Sequence, residues 1–451
     1  MENNQHSESL MPQWIASWAE FVLKQASLHT KLDEDSINLI ERILLAASQG
    51  DSCIKKDVNA ETLLNSLMID DVSAEQSVAP FVADQDHLYL YRYWKLEQRL
   101  ALQIQRLKQQ NLEAVDIQPF EHLLADEHQR NALKMVAQQS LNIITGGPGT
   151  GKTYTLARII AVLSQSMPDI RIAMAAPTGK AAQRMKEAMQ KSLADEKLNE
   201  LGLISDRLKQ QDTLTLHRLL GLGTQYKPRF NLKQPLPYDV IVIDEASMLD
   251  LNLATLLFEA VPEHCRLILL GDANQLASVD VGAVLADLQQ VKALQENRVN
   301  LITSRRFKEG ALIGETAKFI QQGHEKADDA LLKLFESKVV KATQLQQVEL
   351  KQGMQDMVQL EYLPNQIAPQ LLDEYYQKLS WGYDDYIQAL ERYIEQGYAV
   401  EEVVNVIQAF DHYRILTAIR HGAFGLDRIN FEMQTIILES IPLIVKQGDW
   451  Y

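Results

Sequence analysis

Leu141-Asn142-Ile143-Ile144-Thr145-Gly146-Gly147-Pro148-Gly149-Thr150-Gly151-Lys152-Thr153 is the stretch whose reading decides the fold of this chain. Its first five residues are a short apolar run, the pattern of a strand buried on both faces of a parallel sheet. The next eight fit the spacing G-x-x-x-x-G-K-[ST]. Glycines at these positions let backbone N–H groups turn inward around phosphate oxygens. The residues that follow open a helix whose positive end points at the same place. A glycine turn with a chance Lys-Thr is the competing reading, but it leaves the strand before and the helix after unexplained. The expected ligand is therefore ATP with Mg²⁺. Gly146, Gly147, Pro148, Gly149, Thr150 and Gly151 form the cradle, Lys152 reaches the β- and γ-phosphates, and the Thr153 hydroxyl ligates Mg²⁺.

Four more short apolar runs, 170–175, 240–243, 266–270 and 299–303, alternate with helical segments and end in loops of Gly, Pro, Thr or Asp. That alternation predicts an α/β fold, a parallel sheet flanked by helices with ligands at the carboxyl ends of its strands. The third run closes on Ile243-Asp244-Glu245-Ala246-Ser247. Alone, an Asp-Glu pair at a strand end is more often a solvated turn. Beside a phosphate loop it suits catalysis: Asp244 holds Mg²⁺ through a coordinated water, and Glu245 orients and deprotonates the attacking water. The fourth closes on Gly271-Asp272-Ala273-Asn274-Gln275. Its isolated string reads as a capping loop; in this company Gln275 reads as a sensor of the γ-phosphate.

The outlying signals are softer. Thr178 and Lys180, after the second run, either cap a surface helix or receive a DNA phosphate at a helix start. His217, in Thr215-Leu216-His217-Arg218, serves equally well as a structural histidine or a strand contact. Gln129, about 17 residues before the loop, is either a surface residue or a bidentate reader of the adenine N6/N7 edge. Ser304-Arg305-Arg306-Phe307 ends the fifth run, where an arginine could reach the γ-phosphate; the choice between Arg305 and Arg306 stays open.

Length and composition bound the rest. The 451 residues allow two or three domains, at roughly 100–200 residues each. With 44 Lys and Arg against 60 Asp and Glu the net charge is −16, which argues against a free-standing nucleic-acid binder. A chain working beside more basic subunits remains compatible with it. No apolar run approaches the ~20 residues of a membrane span, the polar N-terminus carries no secretory pattern, and there are two cysteines, Cys53 and Cys265, far apart in sequence. These features point to the cytoplasm. None of the ten histidines has metal-ligand spacing with cysteines or a second histidine. Residues 1–115 read as a helical domain with few glycines, in which 88–101 form one helix with a buried face or, alternatively, a partner-facing one. Residues 116–325 carry the motifs. Residues 326–451 read as a helical segment followed by a strand at Arg414-Ile415-Leu416-Thr417-Ala418 that opens a second, incomplete α/β unit.

The motifs stand in the order of the superfamily-one DNA helicases. The Asp-Glu-Ala-Ser form, Ser304-Arg305-Arg306-Phe307, the 414–420 segment with Gly422, Phe424 and Gly425, and Tyr91-Arg92-Tyr93-Trp94 resemble the RecD family, the alpha subunits of exodeoxyribonuclease V. That resemblance implies a P-loop NTPase core of the RecA-like kind and a 5′→3′ DNA helicase working with RecB-like and RecC-like subunits in double-strand-break repair and recombination. It also implies an N-terminal domain docked on the RecC-like partner. It makes Arg306 the family arginine and Gln129 the adenine reader, and places Thr178, Lys180 and His217 along the single strand. The family's later His-Lys-Ser-Gln-Gly-like segment and Thr-Arg pair find no match, so a truncated second motor domain with weak hydrolysis is expected. Two further readings are a stand-alone RecD-like helicase and a non-catalytic nucleotide-binding subunit. The short N-terminal region, without helix-hairpin-helix glycine pairs, favours the RecD reading over the stand-alone one.

Overall fold

The computed structural model describes residues 12–26, 34–57, 60, 64, 67–167, 169–223, 227–272, 274–276, 278–303, 340–342, 359–361 and 368–441. The chain divides into two compact units, 1–306 and 307–451. The first is built on a six-stranded parallel sheet of β5 (Leu141–Gly146), β6 (Ile172–Ala176), β7 (Thr213–Thr215), β8 (Val240–Ile243), β9 (Arg266–Gly271) and β10 (Arg298–Leu301). The strand order is β10-β5-β9-β8-β6-β7. The four inner strands are buried along their whole length, which is why they read as unbroken apolar runs. The five strands expected for this sheet form, with ends that match or shift by at most two residues.

The sequence reading did not find β7. Its Thr-Leu-Thr is half-buried at the sheet edge and too short to show a period. At β10, on the opposite edge, only Leu301 is buried. The sheet's start is tied down by Arg266, whose guanidinium donates to the carbonyls of Val136 at 3.0 Å and Glu113 at 2.7 Å. Helices cover both faces. Lys152–Ser166 buries Leu156, Ile159, Ile160 and Leu163 on one, and Leu251–Ala260 buries Leu253, Leu257 and Phe258 on the other. Among the described residues no helix is long and apolar enough to cross a membrane.

The N-terminal region departs from its reading in two ways. It is not purely helical: behind Gln13–Ala26 and Glu34–Ser48 lies a four-stranded sheet, β1 (Cys53–Lys55), β2 (Met68–Asp70), β3 (Phe81–Ala83) and β4 (His87–Leu90), in the order β1-β4-β3-β2. The helix expected over 88–101 is a strand to Leu90 and a helix, Tyr91–Lys108, from there on. The mixed apolar spacing spans that junction, so one helical period fitted it poorly. The second departure is the boundary at 115. Tyr93, Leu100 and Leu107 of this helix share one core with Leu257 and Phe258. Arg99 grips Glu259 through two bonds of 2.8 and 2.7 Å. Helix 91–108 is thus part of the sheet domain's packing, and the N-terminal region shares one unit with it.

In the second unit, helices Pro369–Ser380, Asp384–Glu395, Val400–Asp411 and Leu426–Ser440 are described, together with the parallel pair β11 (Val340–Ala342) and β12 (Gln359–Glu361). Tyr376, Ile429 and Met433 form its small core. The strand expected at 414–418 does not form. Thr417 instead donates its hydroxyl to the Phe424 carbonyl at 2.7 Å, which folds the segment into a loop. An apolar run becomes a strand only beside another strand, and among the described residues none lies next to it.

Candidate nucleotide-binding site

The site is assembled at the carboxyl ends of β5, β8 and β9. β5 meets β10 on one side and β9 on the other, so the chain leaves in opposite directions around it. Such a switch point opens a crevice. Residues 147–151 turn there, with Gly149 at φ 78° and Gly151 at φ 83°, a backbone conformation that favours glycine. A Cβ on Gly151 would also lie 2.9 Å from Gln129 Nε2. The Thr150 hydroxyl donates to the Gly147 carbonyl at 2.9 Å, closing the loop on itself. The Lys152 ammonium donates to the Gly146 carbonyl at 2.6 Å and to that of Gly147 at 3.3 Å. Its charge is therefore held inside the cradle. Thr153, half-buried, sits in the first turn of Lys152–Ser166.

β9 separates β5 from β8, and at the end of β8 stand the two acids. Burial pushes the Asp244 carboxyl up to about 6, reinforced by the Glu245 charge and opposed by the Glu245 amide and by Lys152. Near neutral pH it is a poorly solvated anion that a cation would relieve. Glu245 adopts φ 51°, ψ 40°, a left-handed conformation that costs a non-glycine residue about 1–3 kcal/mol and gathers at functional sites. It re-aims the chain into the turn Ala246–Met248. The donor set fits Mg²⁺: a hydroxyl at Thr153 and a carboxylate at Asp244, both hard oxygen ligands.

Asp272, at the end of β9, is buried and accepts from the Asn274 amide at 3.0 Å. Gln275, four residues past the end of β9, is exposed. Gln129 is buried, and its amide donates to the Thr150 carbonyl at 3.4 Å, which places it against the phosphate loop rather than on the surface. Asp126 was not anticipated. It caps Gln129's helix and accepts from Thr303 at 2.8 Å, tying the end of β10 to that helix. Desolvation works against its charge, but hydrogen bonds from Thr303 and from the Gln129 amide hold the carboxyl below its usual value. An Asp three residues before Gln129 was a legible N-cap signal; its contact with Thr303, nearly two hundred residues away, was not.

Thr178 caps the helix Gly179–Leu193, its hydroxyl accepting from the Ala181 amide at 3.2 Å, with Lys180 exposed beside it. His217 is exposed in the helix Leu216–Leu220. Because β6 and β7 are neighbours, Thr178 and His217 stand on the same edge of the sheet. Arg305 and Arg306 lie outside the described residues.

A parallel sheet with a phosphate loop at its switch point and an Asp-Glu pair two strands away defines a P-loop NTPase core of the RecA-like kind. A family model described as an AAA domain matches residues 129–281, the stretch from Gln129 through the loop after β9. Over 267 residues the chain is 40% identical to the RecBCD enzyme subunit RecD of Mycobacterium tuberculosis, covering 57% of this chain and 45% of that one. The Mycolicibacterium smegmatis RecD is 35% identical over 386 residues, 81% of this chain and 60% of its own. That of Haemophilus influenzae is 32% identical over 418 residues, 83% of this chain and 63% of its own. The resemblance to RecD carried by the motifs thus extends over most of the chain. The chain spans about half to two thirds of the length of these relatives.

Proposed function

We propose that this chain is the motor part of an ATP-dependent 5′→3′ DNA helicase subunit of the RecBCD type, acting with RecB-like and RecC-like partners on duplex ends in double-strand-break repair. The observation that carries this reading is the convergence of the 146–153 loop, Asp244 and Glu245 at the carboxyl ends of β5 and β8, either side of β9, in a sequence 32–40% identical to RecD subunits. Lys152 leaves the Gly146 and Gly147 carbonyls to meet the β- and γ-phosphates. Thr153, and Asp244 through a water, would hold Mg²⁺, which would neutralise charge on the phosphate oxygens. Glu245 orients the attacking water and takes its proton. Gln275 and Arg306 contact the γ-phosphate, and Gln129, beside the loop, reads the adenine.

The single strand is proposed to cross the carboxyl edge of the sheet. Thr178 and Lys180, just after β6, and His217, just after β7, support this by following the carboxyl ends of two paired strands. Net charge −16 is consistent with partners supplying the basic surface. Purification from the native host should bring down the two large partners, and the complex should hydrolyse ATP faster with single-stranded DNA and unwind a 5′-tailed duplex. A chain that purifies without them, or whose ATPase ignores DNA, refutes the subunit reading.

A further inference from the structure

One buried polar group near the acids is used by none of the roles above. Ser247 is 6% exposed, and its hydroxyl has no hydrogen-bond partner among the described residues. Buried hydroxyls are almost always paired, because burial removes water and returns nothing unless a partner is found. An orphan two residues from Glu245 is therefore a departure that needs a cause.

Its surroundings supply one. Ser247 lies in the turn Ala246–Met248 that begins at the left-handed Glu245. This turn packs directly on the end of β9. A Cβ built on Gly271 would fall 3.1 Å from the Ser247 amide nitrogen and 2.5 Å from Leu285 Cδ2, so glycine lets the two segments approach closely and a side chain there would press them apart. The segment that starts at Gly271 leads to Asp272 and to the exposed Gln275. The turn carrying Glu245 and the loop carrying Gln275 thus touch through backbone, with one unspent hydroxyl beside the contact.

We infer that Ser247 is a positioning residue that couples the Glu245 turn to the 271–276 loop, its hydroxyl gaining a partner in that loop when the loop closes on a γ-phosphate. The inference rests on the ATP reading of the site and adds to it a device by which Glu245 and the sensor loop move together. A hydroxyl satisfied only in the closed arrangement favours closure, because the open arrangement leaves it unpaired.

The test uses the 451-residue chain and its Ser247→Ala variant. Hydrogen exchange is followed with and without Mg²⁺ and a non-hydrolysable ATP analogue, together with thermal melting. In the unsubstituted chain the analogue should slow exchange at 146–153 and at 271–276. Ser247→Ala should keep the protection at 146–153 and lose at least about tenfold of that at 271–276. Its melting temperature should stay the same or rise, since the lost hydroxyl had no partner. Unchanged protection at 271–276 in the variant overturns the inference, and so does a clearly lowered melting temperature, which would mean the hydroxyl is already paired. Absence of protection at 146–153 in the unsubstituted chain overturns the ATP reading itself and the coupling with it. Ser247→Thr, which restores a hydroxyl, should recover the loop protection where Ser247→Ala does not.

Discussion

At the scale of single residues, Lys152 and Glu245 do different work at one site, and substitution should separate them. Lys152→Ala removes the only side-chain cation of the phosphate loop, so affinity for ATP–Mg²⁺ should fall at least about tenfold in a fluorescent-nucleotide titration. Glu245→Gln keeps the cradle and removes the base. Binding should persist while turnover drops by about 10²–10⁴-fold. Wild-type binding by the Lys152 variant would falsify the site. Glu97 offers a pH test away from the chemistry. Burial raises its carboxyl above the usual value, the Asp287 charge adds to this, and the Ser52 hydrogen bond opposes it. The folded state therefore holds its proton to higher pH than the unfolded one. This group's contribution is most favourable below the unfolded value of about 4.3 and is lost as pH rises through the folded value. Glu97→Gln keeps an acceptor for Ser52 and removes the charge. It should melt higher than the parent at pH 8, with the difference gone near pH 4.

At the scale of elements, helix 91–108 is the joint between the N-terminal sheet and the motor sheet. Arg99 and Glu259 fasten it, and Glu259 is only 8% exposed. Removing the arginine strands a buried carboxylate. Arg99→Ala should cost about 1–3 kcal/mol in chemical denaturation, less than a fully buried pair because Arg99 is partly in water. Pairing it with Glu259→Leu should recover much of that loss; a double variant as unstable as the two single ones summed would show that the ion pair is not what holds the helix. The same joint explains why the sequence reading drew a boundary in the wrong place. The change from helical to alternating pattern near 115 is real, but a boundary is set by which faces bury one another. Tyr93, Leu100 and Leu107 bury theirs against Leu257 and Phe258, about 150 residues further on.

At the scale of the whole molecule, the division after residue 306 predicts where the chain can be cut. A fragment of 1–306 should melt cooperatively, whereas 116–306, stripped of helix 91–108, exposes the Leu257 and Phe258 surface and should melt lower or aggregate. Equal melting of the two in calorimetry would return the boundary to 115. What the sequence alone determined is what depends on local order along the chain. Strands β5, β6, β8 and β9 were legible because strands buried on both faces are apolar throughout. The loop 146–153 was legible because its chemistry needs fixed residue types at fixed spacing, and Asp244-Glu245 because such a strand ends in them. Tertiary structure decided what depends on partners. It set the order β10-β5-β9-β8-β6-β7, paired the edge strand β7, and denied a strand to 414–418, since a backbone ladder needs a neighbour that no local pattern names. It carried Thr303 to Asp126, Gln129 to the Thr150 carbonyl and Ser247 against Gly271. Those contacts join segments between about 20 and nearly 200 residues apart, and the distance is closed only when the sheet forms.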